Sequence, residues 1–150
     1  MAQLSTAEFA DQLLKIIPDI TREFLRHQIQ EISKGVLTVP QFLIMEHLIH
    51  HGESRMKDLA TFMNVTMATM TGIVDRLVRD GCAQRLLDPS DRRSVKVALT
   101  PKGLHLTKKV QKARREVITD IFDKISPPDR REYLRILNNI HQVLKNRKKT

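Results

Sequence analysis

The chain has 150 residues, 41% of them hydrophobic, with aromatics at 4% and only five Gly and six Pro; that is the size of one ordinary domain with a core, and it excludes wholesale disorder and a turn-rich all-β sandwich. Against 17 acidic side chains stand 26 Lys and Arg, a formal charge of +9 that favours a polyanionic partner, either nucleic acid or an anionic surface. One cysteine, Cys82, excludes an internal disulfide framework and fits a reducing compartment.

Ser5 with Glu8 reads as a capping box, opening a helix with Phe9, Leu13, Ile16, Ile17, Ile20 and Phe24 on one face. Pro18 predicts a kink near Ile17, and Gly35 ends the segment. Thr38 with Gln41 repeats the box, and Phe42, Ile44, Met45, Leu48 and Ile49 follow until Gly52. A short helix over about Met56 to Met63 carries Leu59, Ala60 and Met63. After the Asn64-Val65 turn another opens at Thr66 and closes at Gly81, with Met70, Ile73, Val74 and Leu77 as its inward stripe.

The period then changes. Arg85-Leu86-Leu87 and Val95 to Leu99 read as two short strands, separated by a polar turn from Asp88 to Ser94. Thr100-Pro101 and Ser126-Pro127 each supply an N-cap and a proline at the first helical position. The helix after Thr100 lines up Leu106, Val110, Ala113, Val117, Ile121 and Ile125. The last one lines up Tyr133, Ile136, Leu137, Ile140, Val143 and Leu144, and its basic end reads as a solvated tail.

These elements predict a mainly α fold: a winged helix-turn-helix lobe over 39–99 with a two-stranded β-wing, flanked by N- and C-terminal dimerisation helices at 5–34 and 101–147, all in one domain of 150 residues. The apolar faces at both chain ends exceed what so small a lobe covers, which predicts a symmetric homodimer.

Opposite the inward stripe of the 66–81 helix lie Ala68, Gly72, Asp75 and Arg79, flanked by Thr69, Thr71 and Arg76. A helix seated in a major groove needs such a slim face, because bulky residues would hold its backbone away from the base edges. Arg92 and Arg93 stand at the hairpin tip, where an exposed pair adds little stability but can reach phosphates or a narrow minor groove. Asp91 is placed to brace one of them.

The stretch DLATFMNVTMATMTGIVDRLVRDG followed by RLLDPSDRRSVKVALTPKG resembles the signature of the MarR (multiple antibiotic resistance regulator) family. Asp58-Leu59-Ala60, Val74-Asp75-Arg76-Leu77, Gly81, Asp88-Pro89, Asp91-Arg92-Arg93, Val97, Leu99-Thr100 and Gly103 stand at that family's positions. The resemblance implies a dimeric winged helix-turn-helix transcription factor, most often a repressor, on pseudo-palindromic operators. It further implies dimerisation through the first and last helices and, often, a small anionic or phenolic effector lodged between the dimer region and the DNA-binding lobe. Carried over by position, it implies base-facing contacts from Ala68, Thr69, Thr71 and Gly72 on a helix opened by Thr66, a phosphate contact from Arg76, and a wing contact from Arg93, with Asp91 and Arg92 beside it.

Two positions depart from the family pattern. Several members carry an arginine where this chain has Gly72, and the residue after Gly81 is usually a larger aliphatic than Cys82. With no Arg, Asn or Gln at the front of the 66–81 helix, bidentate base contacts are missing there. The expected operator is therefore A·T-rich, read through thymine methyls, groove width and half-site spacing.

His47, His50 and His51 beside Glu46 form a geometrically possible metal pair, but a polar helix end near Gly52 explains them better; the expectation is no metal and no resident cofactor. Cys82 reads as a buried small hydrophobe rather than a redox sensor. With no phosphate loop, HExxH or nucleophile elbow, an enzyme is the least expected class. The start lacks a basic segment and an unbroken apolar run, and no run approaches the roughly 20 residues a membrane span needs, so the expectation is a cytoplasmic protein with no membrane partner. The competing classes are a non-specific or architectural DNA binder and a winged-helix adaptor for another protein.

Overall fold

A computed structural model describes residues 4–32, 37–88 and 91–147, with the side chains of 25–32, 88 and 91–93 outside that description. The chain divides into two compact units, residues 1–113 and 114–150. In order, the elements are α1 (Thr6–Ile32), α2 (Val39–His51), β1 (Ser54–Arg55), α3 (Met56–Met63), α4 (Met67–Arg79), β2 (Ala83–Asp88), β3 (Asp91–Leu99), α5 (Pro101–Phe122) and α6 (Pro127–Arg147). Among the described residues no helix is long and apolar enough to cross a membrane.

Side-chain caps start the helices where the sequence places them. The Ser5 amide donates to Glu8 Oε2 at 2.9 Å while the Glu8 amide donates to Ser5 Oγ at 3.2 Å. The Thr38 amide donates to Gln41 Oε1 at 2.7 Å, closing the second box. Each arrangement satisfies amides that a helix start otherwise leaves without partners. Helix α1 runs through Pro18 as one element, so the proline does not divide it. The Gly35 terminator lies outside the described residues.

The core of the first unit is built from the inward stripes of α2, α3 and α4 together with the sheet. Ile44, Met45, Leu59, Met70, Val74, Leu77, Cys82 and Val97 are fully buried, with Phe42, Leu48 and Val110 close behind. Burying one such side chain contributes roughly 1.5–3 kcal/mol, which makes this cluster the main source of the lobe's stability. Helix α1 stands apart from it. Leu13, Ile16, Ile17 and Ile20 all remain exposed, so this apolar stripe is not part of the lobe's core.

The sheet differs from the expected two-stranded wing. It has three antiparallel strands in the order β1-β3-β2, because Ser54 pairs with Val97 and Arg55 with Lys96. The wing strands are also longer than the alternation suggests. Asp88 belongs to β2 and Asp91 to Ser94 belong to β3, with Asp88 opposite Asp91, so the polar segment is mostly strand rather than turn. Backbone pairing does not require apolar side chains, and that is why hydrophobic alternation underestimates a strand's length.

In the second unit, Phe122 and Tyr133 meet with ring centroids 5.4 Å apart, and Arg130 Nη1 lies 3.5 Å from Asp123 Oδ1. The Ser126 cap accepts from the Asp129 amide at 3.3 Å. No side chain of α6 is buried: Ile136, Leu137, Ile140, Val143 and Leu144 all remain exposed.

Candidate nucleic-acid interface

Helices α3 and α4 are joined by a short turn, Asn64 to Thr66. Asn64 takes the left-handed conformation at φ 53°, and the Val65 amide donates back to the Ala60 carbonyl at 3.0 Å. Asparagine tolerates that backbone better than most residues, and the left-handed residue ends α3 so that α4 can start afresh against it. Thr66 then caps α4 by accepting from the Thr69 amide at 3.2 Å.

The two faces of α4 are cleanly divided. Of the expected inward stripe, Met70, Val74 and Leu77 are buried in the core and Ile73 is half-buried against it, while Thr66, Met67, Ala68, Thr69, Thr71, Gly72, Asp75, Arg76 and Arg79 are exposed. A Cβ added at Gly72 would meet nothing within 4 Å, so nothing inside the lobe requires this glycine. A mid-helix glycine is nevertheless unfavourable by about 1 kcal/mol relative to alanine. The hydroxyls along the face turn back onto the helix: Thr66 Oγ1 and Thr69 Oγ1 lie 3.0 Å apart, and Thr71 Oγ1 donates to the Met67 carbonyl at 2.8 Å.

Beside this face, α2 contributes the other wall of an open cleft of about 350 Å³, lined by Thr38, Pro40, Gln41, Thr69, Gly72 and Arg76. The predicted contacts Thr66, Ala68, Thr69, Thr71, Gly72 and Arg76 therefore fall on one exposed stretch of one helix. Asp91, Arg92 and Arg93 begin β3, and the contacts expected of their side chains lie outside the described residues.

Arg85 joins the site without having stood out in the sequence as anything but a strand residue. Its Nη2 donates to Asp75 Oδ1 at 2.6 Å, tying the base of the wing to the outer face of α4. Asp75 reads from the sequence as an isolated surface charge, because its partner lies ten positions away across a change of secondary structure. Lys96 Nζ to Glu53 Oε1 at 2.9 Å ties the other side of the sheet to the segment before β1.

The histidines pack rather than converge. The His47 and His51 rings stack at 4.2 Å and 16°, and His47 also lies 4.3 Å from the Phe62 ring. Burial, reinforced by the neighbouring His51, holds the His47 imidazole below its ordinary pKa. Among the described residues, no group of three or more His, Cys, Asp or Glu could hold a metal ion. Cys82 is buried beneath the start of the wing, and burial pushes its thiol pKa up, away from the reactive thiolate.

A model of the MarR family matches residues 37–95, the segment from the start of α2 to the middle of β3. The chain is 28% identical over 95 residues to the uncharacterized HTH-type transcriptional regulator YsmB of Bacillus subtilis (strain 168), covering 63% of this chain and 65%, just under two thirds, of that protein. It is 30% identical over 91 residues to the HTH-type transcriptional repressor IacR of Pseudomonas putida, covering 61% of this chain and 54% of that one. Among solved structures, a MarR family protein from Bacillus stearothermophilus shares the fold with a TM-score of 0.83, over 95% of this chain and 99% of its own, at 22% identity.

Proposed function

Since the chain belongs to the MarR family of helix-turn-helix transcriptional regulators, we propose that it is a homodimeric, sequence-specific binder of double-stranded DNA, a cytoplasmic repressor released from its operator by a small anionic or phenolic effector. The observation that carries the reading is the division of α4: a buried apolar stripe on one side and, on the other, an exposed slim face broken by a glycine that packing does not need. Such a face suits entry into a major groove, with Ala68, Thr69, Thr71 and Gly72 at base edges and Arg76 toward phosphate. Arg93, with Arg92 and Asp91, is assigned to the adjacent minor groove.

A homodimer is supported by the uncovered apolar residues of α1 and of α6, each a stripe that water would otherwise contact. Two α4 helices presented by a twofold pair suit pseudo-palindromic half-sites about 34 Å apart. An effector that binds one dimer shape better than another would change the separation of those helices, and with it operator affinity. The absence of Arg, Asn and Gln from the front of α4 favours an A·T-rich operator.

Selection of duplexes from random DNA tests the reading. The expected product is a population sharing a pseudo-palindrome, bound far more tightly than random sequence at the same salt, and bound weakly by Arg93→Ala although its melting temperature stays near that of the parent. Equal affinity for all duplexes points to an architectural binder, and no shift on any DNA even at low salt points to a protein adaptor.

A further inference from the structure

Three consecutive carbonyls close the end of the α4 segment, and all three are received by the first turn of α5. The Asp80 carbonyl accepts from Lys102 Nζ at 2.7 Å, the Gly81 carbonyl from Thr100 Oγ1 at 2.6 Å, and the Cys82 carbonyl from the Thr100 amide at 3.1 Å. Thr100 Oγ1 in turn accepts from the Gly103 amide at 3.1 Å, so one hydroxyl caps α5 and grips the end of α4 at once. Carbonyls at a helix C-terminus lack partners within the helix and carry its negative pole, which an ammonium group such as Lys102 complements.

The wing leaves and returns at this same junction. Ala83 pairs with Leu99, immediately inside the bond between Thr100 and Cys82, and Arg85 ties β2 to Asp75 of α4. The last turn of α4, the base of the wing and the first turn of α5 are therefore held at one point, with side-chain and backbone bonds crossing it in parallel.

We infer that this junction makes α4 and the wing follow α5 as one body, and that Thr100 and Lys102 are positioning residues that fix where each subunit presents its half-site reader. The inference rests on the reading of a dimeric DNA binder, since position matters only where two readers must meet one duplex. A rigidly held reader tolerates one half-site separation; a loosened one tolerates several, while its contact with a single half-site is unchanged.

The test uses duplexes selected by the parent protein from random DNA, rebuilt with one base pair added or removed between the half-sites, and a duplex bearing one half-site. The parent is expected to lose about tenfold or more in affinity on the altered spacings. Lys102→Met and Thr100→Val are expected to lose about threefold or less, with single half-site affinity within about twofold of the parent, and Lys102→Arg to restore the discrimination. Lys102 is exposed, so Lys102→Met carries the test even where Thr100→Val folds poorly. A spacing penalty in Lys102→Met equal to the parent's overturns the inference while leaving the DNA-binding reading intact. A parent that selects no duplex overturns both.

Discussion

Gly103 meets the carbonyl of Cys82 so closely that a Cβ at residue 103 would overlap that oxygen. The obstacle is backbone, held in place by the Thr100 amide that donates to it, and cannot swing aside as a side-chain end would. Gly103→Ala must therefore push the first turn of α5 off the end of α4, a local overpacking that costs about 1–3 kcal/mol. Denaturant unfolding should show a lowered midpoint of that size, and an unchanged midpoint would mean the two elements separate easily.

Gly72 is the opposite case. A Cβ there meets nothing within 4 Å, and the position is mid-helix. Gly72→Ala should stabilise the lobe by about 1 kcal/mol through helix propensity. The same methyl would stand between the α4 backbone and the base edges, so operator affinity should fall. Melting and titration of the same preparation check both signs, and a variant that gains stability with undiminished affinity would remove close approach as the reason for the glycine.

Much of this architecture is legible in the sequence because its boundaries are written in side-chain chemistry. The Thr38–Gln41 box, the Asn64 turn and the Thr66 cap fix the ends of α2, α3 and α4, and the Met70, Val74 and Leu77 spacing fixes which face is core. Strand β1 was not legible: two residues, Ser54 and Arg55, have no period, and only their pairing with Val97 and Lys96 makes them a strand. Of the junction, the sequence predicts Thr100 as a cap but gives no sign that the same hydroxyl reaches Gly81, because that contact depends on the wing closing first. The Asp75–Arg85 pair was hidden for the same reason.

That pair makes its own prediction. Both side chains are partly solvent-exposed, so removing the ion pair should change stability by less than about 1 kcal/mol. Asp75→Asn nevertheless deletes a negative charge from the face assigned to DNA and releases the Arg85 guanidinium. Affinity for random DNA should rise at low salt, and the slope of log affinity against log salt should steepen by up to about one unit. Weaker binding would instead make Asp75 the residue that aims Arg85 at its contact.

The His47 stack predicts a pH dependence of stability. Burial is the first cause of its lowered pKa and repulsion from His51 the second; Asp58 opposes them and His50 adds to them. As pH falls, the unfolded chain takes up this proton first, at about 6.5. Stability is therefore fully present above about 6.5 and is lost as pH drops through the lower folded value. His47→Phe keeps a ring against Phe62 but has no proton to bind, so its unfolding midpoint should vary less between pH 7.5 and 5.5 than that of the parent. Equal slopes would assign the acid sensitivity to other groups.

Helix α1 supplies the sharpest test of assembly. Leu13, Ile16, Ile17 and Ile20 recur at helical spacing and are exposed, while the helix start is secured by the capping box of Ser5 and Glu8. An apolar stripe of this kind gains stability only when a second surface removes it from water, at roughly 25 cal/mol per Å² buried. Ile17→Glu places a charge in the middle of that stripe and leaves the buried core of α2, α3 and α4 untouched. Sedimentation should then report a dimer for the parent and a monomer for the variant, with the wing lobe still folded by circular dichroism. Operator affinity should drop by orders of magnitude while weak half-site binding survives, because a single reader loses the linkage that makes its partner's contact effectively intramolecular. A variant that remains dimeric would assign assembly to α6 alone, where Leu137→Glu is the matching substitution.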